Sequence, residues 1–498
     1  MNNLYIYNSL TRKKEPFQSI HEGYVGMYVC GPTVYSDVHL GNCRTFISFD
    51  VMFRYLQYLG YKVRYIRNIT DVGHLESDAD TGEDKIAKKA RLERLEPMEV
   101  VQRYTNGFHD MMRIFNVLPP SIEPHATQHI IEQIEMVQRI IDNGYAYEQN
   151  GSVYFDTLRF AQDKGVYGQL SGRVLEELIA ESRDNLKKQD EKRHPADFAL
   201  WMKASPEHLM RWNSPWSVGF PGWHLECSAM STKYLGETFD IHGGGNDLKF
   251  PHHENEIAQN YGACNCTPAR YWIHANMLLL NGKKMSKSDG NSISPEQLFT
   301  GNSPHISKAY NPMMVRFFML QAHYGSPLDL TDEALQSAEK GYRRLMEAWK
   351  TLQTLQPVAD ARAGALDEAI NRLIDEAFQD MNDDFNTPKA LSRMFELCSR
   401  INGLKGGQLP IAEVSENTLN RLKQGMYDLI FTIFGLQEEA SANGDYQVLD
   451  GLMQLIIEMR HDARARKDWA ASDRIRDVLK ELRIQLKDSK EGTTWSKE

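Results

Sequence analysis

The stretch GYVGMYVCGPTVY, residues 23–35, decides the class of fold. Its apolar run reads as a buried strand that ends in a Gly-Pro turn just after Cys30. The following stretch, RTFISFDVMFRYLQYLGY (44–61), carries apolar residues at helical spacing and closes near Gly60. KVRYIRNITDV (62–72) then reads as a second strand. Strand, helix and strand in about fifty residues make a βαβ unit, which requires a parallel sheet covered by helices, the α/β class. Residues 85–146 read as helix-rich, broken at Pro97 and at LPPS (118–121). YEQNGSVYFDT carries an Asn-Gly turn between β-forming residues and predicts a hairpin. Alternation of types resumes over 219–280, and from about 331 the pattern is all-helical. Soft stretches at 356–365 and 403–417 read as loops between helices, and LQEEASANGDYQ (436–447) as a linker.

Composition is that of a soluble globular chain: 498 residues, 41% hydrophobic and 25% charged. No apolar run approaches the roughly 18 residues of a membrane helix. The start, MNNLYIYNSLTRKKEPF, lacks an apolar core ahead of a small-residue cleavage site, so no signal peptide is expected. Six cysteines without regular spacing do not make a disulfide framework, which points to a reducing cytoplasm with free thiols. Net charge is −10, yet the segment from Arg460 onward is locally +3. A local basic patch is all that nucleic-acid binding needs.

Three stretches carry chemistry. In PTVYSDVHLGNCRTF (32–46), His39-Leu40-Gly41-Asn42 opens a helix behind the first strand. A helix N-terminus offers free N–H groups to phosphate, and Gly41 lets backbone approach a ligand. In GKKMSKSDGNS (282–292), Lys284 and Lys287 sit on a Gly-flanked polar loop that can clamp a polyphosphate. In GGGNDLKFPHHENEIAQ (243–259), Pro251 opens a helix on which His252 and Glu256 share a face. His253 also reaches Glu256, so spacing does not choose between the histidines. Cys30 and Cys227 each follow a predicted strand and have no CxxC partner. A Cys/Cys/His/Glu set from three segments suits zinc.

In combination and order, these motifs resemble the class I aminoacyl-tRNA synthetases, with an HxGx turn after the first strand and KMSKS after the last. CGPTVY…HLGN, RNITD, PGWHLECSAMS, FDIHGGGNDLKFPHHENEIAQ, KMSKS and DARARKDWAASDRIRD…GTTW together resemble the cysteinyl-tRNA synthetase family, from about residue 4 to 495. The resemblance implies zinc ligands at Cys30, Cys227, His252 and Glu256, and so selects His252 over His253. It puts the ATP-contacting turn on Gly31 to Gly41, Thr33 included, and the mobile-loop lysine at Lys287. Thr70 falls beside the substrate amino group. Trp223, Gly243, Gly244 and Asp247 fall in the amino-acid and nucleotide pocket. His39, Asn42, Lys284 and Lys287 are implied as the groups that stabilise developing phosphate charge.

The resemblance also implies the partners: L-cysteine, ATP with Mg2+, and tRNA-Cys, with one Zn2+ per chain, in a cytoplasmic monomer without an editing domain. Two departures stand out. The family's turn usually ends in His where this chain has Asn42. The usual short TDIDDKI is stretched to TDVGHLESDADTGEDKI (70–86).

The implied architecture is a Rossmann-type parallel-sheet catalytic domain (1–115 and 219–280) interrupted by a connective insertion (116–218). A KMSKS-loop and stem-contact region (281–330), a helical bundle (331–437) and a small anticodon-binding domain (445–498) follow. In the last, Arg464, Trp469 and Asp473 read as one helix with Asp488 further on. Trp469 suits base stacking or the core of that small domain, and the others suit base edges. Two readings compete: a ligase joining cysteine to an amino sugar, which shares the zinc and ATP motifs but lacks the terminal module, and a non-catalytic zinc-stabilised RNA-binding protein, against which the intact KMSKS and HxGx elements argue.

Overall fold

A computed structural model describes residues 4–77, 81–173, 191–285, 290–358, 361–438, 442–466, 468–481, 484–489 and 492–497. Strand β1 (Tyr24–Val29), helix α1 (Leu40–Tyr58) and strand β2 (Lys62–Arg67) form the expected βαβ unit. Val25, Met27, Tyr28 and Val29 are buried because β1 lies inside a four-stranded sheet, with helices on its faces. A hairpin of β3 (Leu75–Ser77) and β4 (Thr81–Asp84) follows β2 and leads into α2 (Lys85–Glu93). The later half adds α3 (Trp223–Leu235), β5 (Phe239–Gly245), α4 (His252–Cys264) and β6 (Ala269–Ala275). The strand order is β2-β1-β5-β6, all parallel, with Tyr24 opposite Lys62 and Met27 opposite Ile241. This is the Rossmann-type sheet expected from the sequence. The carboxyl ends of β1 and β5 lie side by side, Cys30 N–H donating to the Gly243 carbonyl at 3.0 Å. Open parallel sheets place their ligands at such ends.

The insertion is antiparallel. Ala146–Gln149 pairs with Ser152–Phe155 through Asn150-Gly151, both at positive φ (53° and 89°), as a type I′ turn demands. Three more strands, ending with Val218–Pro221, complete a five-stranded sheet. After β6, strands β7 (Leu278–Leu280), β8 (Lys283–Lys284) and β9 (Leu328–Leu330) make a small sheet at the root of the KMSKS stretch. Helices Asp332–Thr354, Ala365–Asn382, Thr387–Lys405 and Glu416–Tyr427 form the helical bundle.

The chain divides into two compact units, Met1–Leu436 and Gln437–Glu498. The second holds α5 (Ala442–Ala465), α6 (Trp469–Glu481) and a hairpin of β10 (Ile484–Ser489) and β11 (Gly492–Lys497). Two expectations need correction here. The soft stretch 436–447 is helical from Ala442 onward. Arg464 does not share a helix with Trp469 and Asp473: Asp468 caps a new helix, its Oδ1 accepting from Ala471 N–H at 3.1 Å, so Arg464 ends α5 and Trp469 begins α6. Among the described residues no helix is long and apolar enough to cross a membrane.

Candidate active site

The chain's βαβ turn opens the site. His39 is the N-cap of α1, and its Nδ1 accepts from Asn42 N–H at 3.2 Å. A Cβ on Gly41 would stand 3.0 Å from that same Nδ1, so glycine leaves room for the ring to fold back over the helix start. Gly31 is tighter still: a Cβ there would lie 1.6 Å from the Asn68 carbonyl oxygen. Asn68 Oδ1 accepts from Gly31 N–H at 2.9 Å. Thr33 and Thr70 meet as an isolated parallel bridge, with Thr70 N–H donating to Pro32 O.

One cavity of about 500 Å3 receives these groups. Its lining includes Cys30, Gly31, Thr33, His39, Gly41, Asn42, Thr70, Trp223, Cys227, Asp247, His252 and Lys284. Most residues singled out from sequence are thus brought to a single space. Glu256 sits beneath the lining, and Gly243 and Gly244 are packed against other side chains instead. A Cβ on Gly243 would sit 2.2 Å from the Phe49 ring of α1, and one on Gly244 would sit 3.0 Å from His253 and Leu248. Their smallness lets β5 pack against its neighbours, and Gly245 is the glycine of that run in the lining. Lys287 lies outside the described residues. Arg464, Trp469 and Asp473 are all exposed, Trp469 at 59%, so Trp469 is not the core of the second unit. Asp488 lies on β10, opposite Thr493.

At the floor of the cavity, ligand atoms of Cys30, Cys227, His252 and Glu256 all lie within 4.8 Å of one another, and all four residues are buried. Cys30 Sγ is 3.7 Å from Cys227 Sγ and 3.6 Å from Glu256 Oε1; His252 Nε2 is 3.2 Å from the same oxygen. A second set, Cys30, His242, His253 and Glu256, shares two of these residues. Spacing left His252 and His253 open, and the structure places them in different candidate sets. His252 joins both cysteines, whereas His253 Nε2 faces Cys30 Sγ at 3.3 Å and its Nδ1 meets His274 at 2.9 Å. His242 Nε2 holds Glu256 Oε2 at 2.7 Å. Burial pushes the Cys227 thiol up to about 12 and the Cys30 thiol well above its usual value. Burial also drives His252 well below its usual value, which leaves a neutral ring with a lone pair to give. Two thiols, a neutral imidazole and a carboxylate suit a tetrahedral Zn2+ ion. His224, whose Nδ1 lies 2.9 Å from His252 Nδ1, and His242 support the ligands from behind.

Sequence reasoning missed three residues here. His74, on the stretched loop, lies flat against Trp223, ring centroids 3.9 Å apart and planes 9° apart. Glu226 is buried beside Thr70 and accepts its hydroxyl, and Glu226 Oε2 has no hydrogen-bond partner among the described residues. Arg44, two residues after Asn42, donates to the carbonyls of Asn276, Met277, His323 and Ser326. One further expectation fails. Cys264 and Cys266, whose role the sequence leaves open within a chain expected to lack a disulfide framework, form a disulfide: Asn265 between them ends α4 in the left-handed region (φ 55°) and their Cα atoms are 5.4 Å apart.

The comparisons with known proteins agree with this geometry. The family described as tRNA synthetases class I (C) catalytic domain matches residues 16–340, and the DALR domain matches 378–438. The cysteine–tRNA ligase of Bacteroides fragilis is 54% identical over 493 residues, covering 99% of this chain and 98% of that protein. The chain belongs to the cysteine–tRNA ligase family of class I tRNA synthetases. Other cysteine–tRNA ligases are nearly as similar: that of Cytophaga hutchinsonii is 53% identical over 497 residues (99% of each chain). That of Chlorobaculum tepidum is 47% identical over 508 residues, covering 100% of this chain and 99% of that protein. The solved Mycobacterium tuberculosis methionyl-tRNA synthetase with methionyl-adenylate shares the fold, at a TM-score of 0.57 and 15% identity, over 82% of this chain and 89% of that one. The DALR match falls on the family's helical bundle, Ala365–Asn382 onward, and ends where the first compact unit ends.

Proposed function

We propose that the chain joins L-cysteine to tRNA-Cys at the expense of ATP, through a cysteinyl-adenylate. The observation that carries this reading is the shared cavity: a thiol-selective donor set at its floor and a phosphate-type helix start at its mouth. The cysteine carboxylate attacks the α-phosphorus of ATP, bound with Mg2+, and pyrophosphate leaves. The terminal ribose hydroxyl of the tRNA then takes the cysteinyl group and AMP leaves.

Zn2+ held by Cys30, Cys227, His252 and Glu256 supplies a soft Lewis acid for the substrate sulfur. Its preference for thiolate would distinguish cysteine from serine, which a pocket built on shape alone separates by only about 10². Thr70, beside Asn68, faces the substrate ammonium. Trp223 closes one wall. His39, Asn42 and the first N–H groups of α1 meet the phosphates, as does Lys284 from the cavity lining, and Lys287 is the lysine of the KMSKS stretch that joins them. Positioning and preorganised charge do the work here, as little covalent chemistry falls to side chains. Arg464, Trp469, Asp473 and Asp488 of the second unit read the unpaired anticodon bases. The test is cysteine-dependent ATP–pyrophosphate exchange beside charging of tRNA-Cys. Exchange without charging contradicts the tRNA reading and favours another cysteine acceptor; neither activity contradicts the enzyme reading.

A further inference from the structure

The stretched loop 70–86 is tied down at its base. Gly73 (φ 77°) runs so close to the strand before α3 that a Cβ would meet the Pro221 carbonyl at 2.4 Å, a position only glycine fills. Gly73 N–H donates to the buried Asp84 Oδ2 at 3.0 Å, and Asp84 Oδ1 caps α2 by accepting from Ile86 and Ala87 N–H. Lys85 N–H returns to the His74 carbonyl at 3.0 Å. The clip fixes His74 against the cavity wall, whatever the hairpin beyond it does.

The ring of His74 is then used on three sides. One face stacks on Trp223, whose other neighbour is the ligand residue His252, ring centroids 4.5 Å apart. Nε2 lies 2.6 Å from Lys85 Nζ, and Nδ1 lies 2.7 Å from Thr33 Oγ1. An ammonium group has donors only, so Nε2 accepts and the ring's single proton sits on Nδ1. Burial and the charge of Lys85 keep His74 well below its usual value, in line with a neutral ring. Nδ1–H therefore donates to Thr33. A protonated Nδ1 cannot accept in return, so the Thr33 hydroxyl must send its own proton elsewhere, and Thr33 lines the cavity.

We propose that His74 is a positioning residue of this pocket, holding the Trp223 wall by stacking and turning the Thr33 hydroxyl into a donor for an anionic oxygen of the reacting cysteine and ATP. The inference rests on the function proposed above. It also explains why the hairpin can lengthen without disturbing the site: its first residues build the wall, and Asp84 closes the loop behind them.

The two roles separate by substitution. His74→Phe keeps a ring against Trp223 and loses the donor. His74→Asn keeps a donor near the Nδ1 position and loses the ring. Thr33→Val removes the hydroxyl and leaves the hairpin untouched. Purified full-length chains are compared by ATP–pyrophosphate exchange, bound zinc and melting temperature. His74→Phe and Thr33→Val should each lower kcat about tenfold, the loss of one transition-state hydrogen bond, with the KM for cysteine within about twofold of wild type. The double variant should be no worse than either single one, since both break the same relay. His74→Asn should instead raise the KM for cysteine by about threefold to tenfold, the range of one aromatic pair, with kcat little changed. Zinc content should match wild type throughout. Additive losses in the double variant, or Thr33→Val exchange within about twofold of wild type, overturn the proposal even where a His74 variant folds poorly. A wild-type chain with no cysteine-dependent exchange overturns the functional reading itself, an outcome distinct from normal variants of an active enzyme.

Discussion

The sulfur atoms of Cys30 and Cys227 stand 3.7 Å apart, 197 residues distant in sequence, one at the end of β1 and the other in the second turn of α3. Burial disfavours thiolate at both. A divalent cation between them reverses that preference, because metal binding draws the proton off each thiol. An ion held there would favour a substrate thiolate over a hydroxyl. Serine should therefore support exchange worse than cysteine by more than the ~10² that shape alone gives. Parallel exchange assays with the two amino acids measure this.

Asn42, proposed to meet the phosphates, stands where the family usually places His, and its backbone N–H is already engaged by His39. Asn42→His should keep activity. Asn42→Ala should slow adenylate formation about tenfold, with the KM for cysteine unchanged, because the contact belongs to the transition state. Single-turnover kinetics at saturating cysteine separate the two.

Arg44 ties α1 to the small sheet that leads into Lys284. Its guanidinium nitrogens lie 2.5–3.2 Å from four carbonyl oxygens. A lysine has no planar fork to reach them all. Arg44→Lys should cost about 2–3 kcal/mol, read as a lower urea midpoint, through buried carbonyls left unpaired.

Gly31 stands where the Asn68 carbonyl crosses the end of β1. Gly31→Ala places a methyl group 1.6 Å from that oxygen, and one of the two backbones must move. The expected cost is roughly 3 kcal/mol, with loss of exchange. Thermal unfolding beside exchange on the same preparation checks it.

The boundary between Leu436 and Gln437 separates the cavity from the second unit. A chain ending at Leu436 should fold and keep exchange while charging tRNA poorly. Trp469→Ala should show a milder defect of the same kind, about 1–3 kcal/mol of lost stacking, as weaker tRNA binding. Charging by the shortened chain at the full-length rate would remove the second unit from tRNA recognition.

Much of this was legible because the relevant signals are local. The βαβ unit shows in the switch from strand to helical spacing at residues 23–72, and the hairpin at Asn150-Gly151 follows from φ preference alone. The donor set was legible only through residue type and motif order, since nothing in the spacing of 243–259 separates His252 from His253. Only the three-dimensional arrangement groups His252 with both cysteines and His253 with Cys30 alone. His74 escaped notice because Thr33 and Trp223 come from two other segments and Lys85 from the far end of its own loop, and Glu226 because its neighbour Thr70 lies 156 residues away. Gly243 and Gly244 drew a ligand role from their bareness, whereas Phe49 and His253 are what they accommodate. The break between α5 and α6 has a local cause, the capping Asp468, which was readable and was outweighed by the charged helical pattern around it.

Zinc content and cysteine affinity, measured together on wild type and Cys227→Ser, test the central claim most directly. The account predicts one tightly bound zinc per wild-type chain, and in the variant a fall in bound zinc together with a rise in the KM for cysteine in ATP–pyrophosphate exchange. A Cys227→Ser chain that holds a full equivalent of zinc and activates cysteine as well as wild type would contradict it.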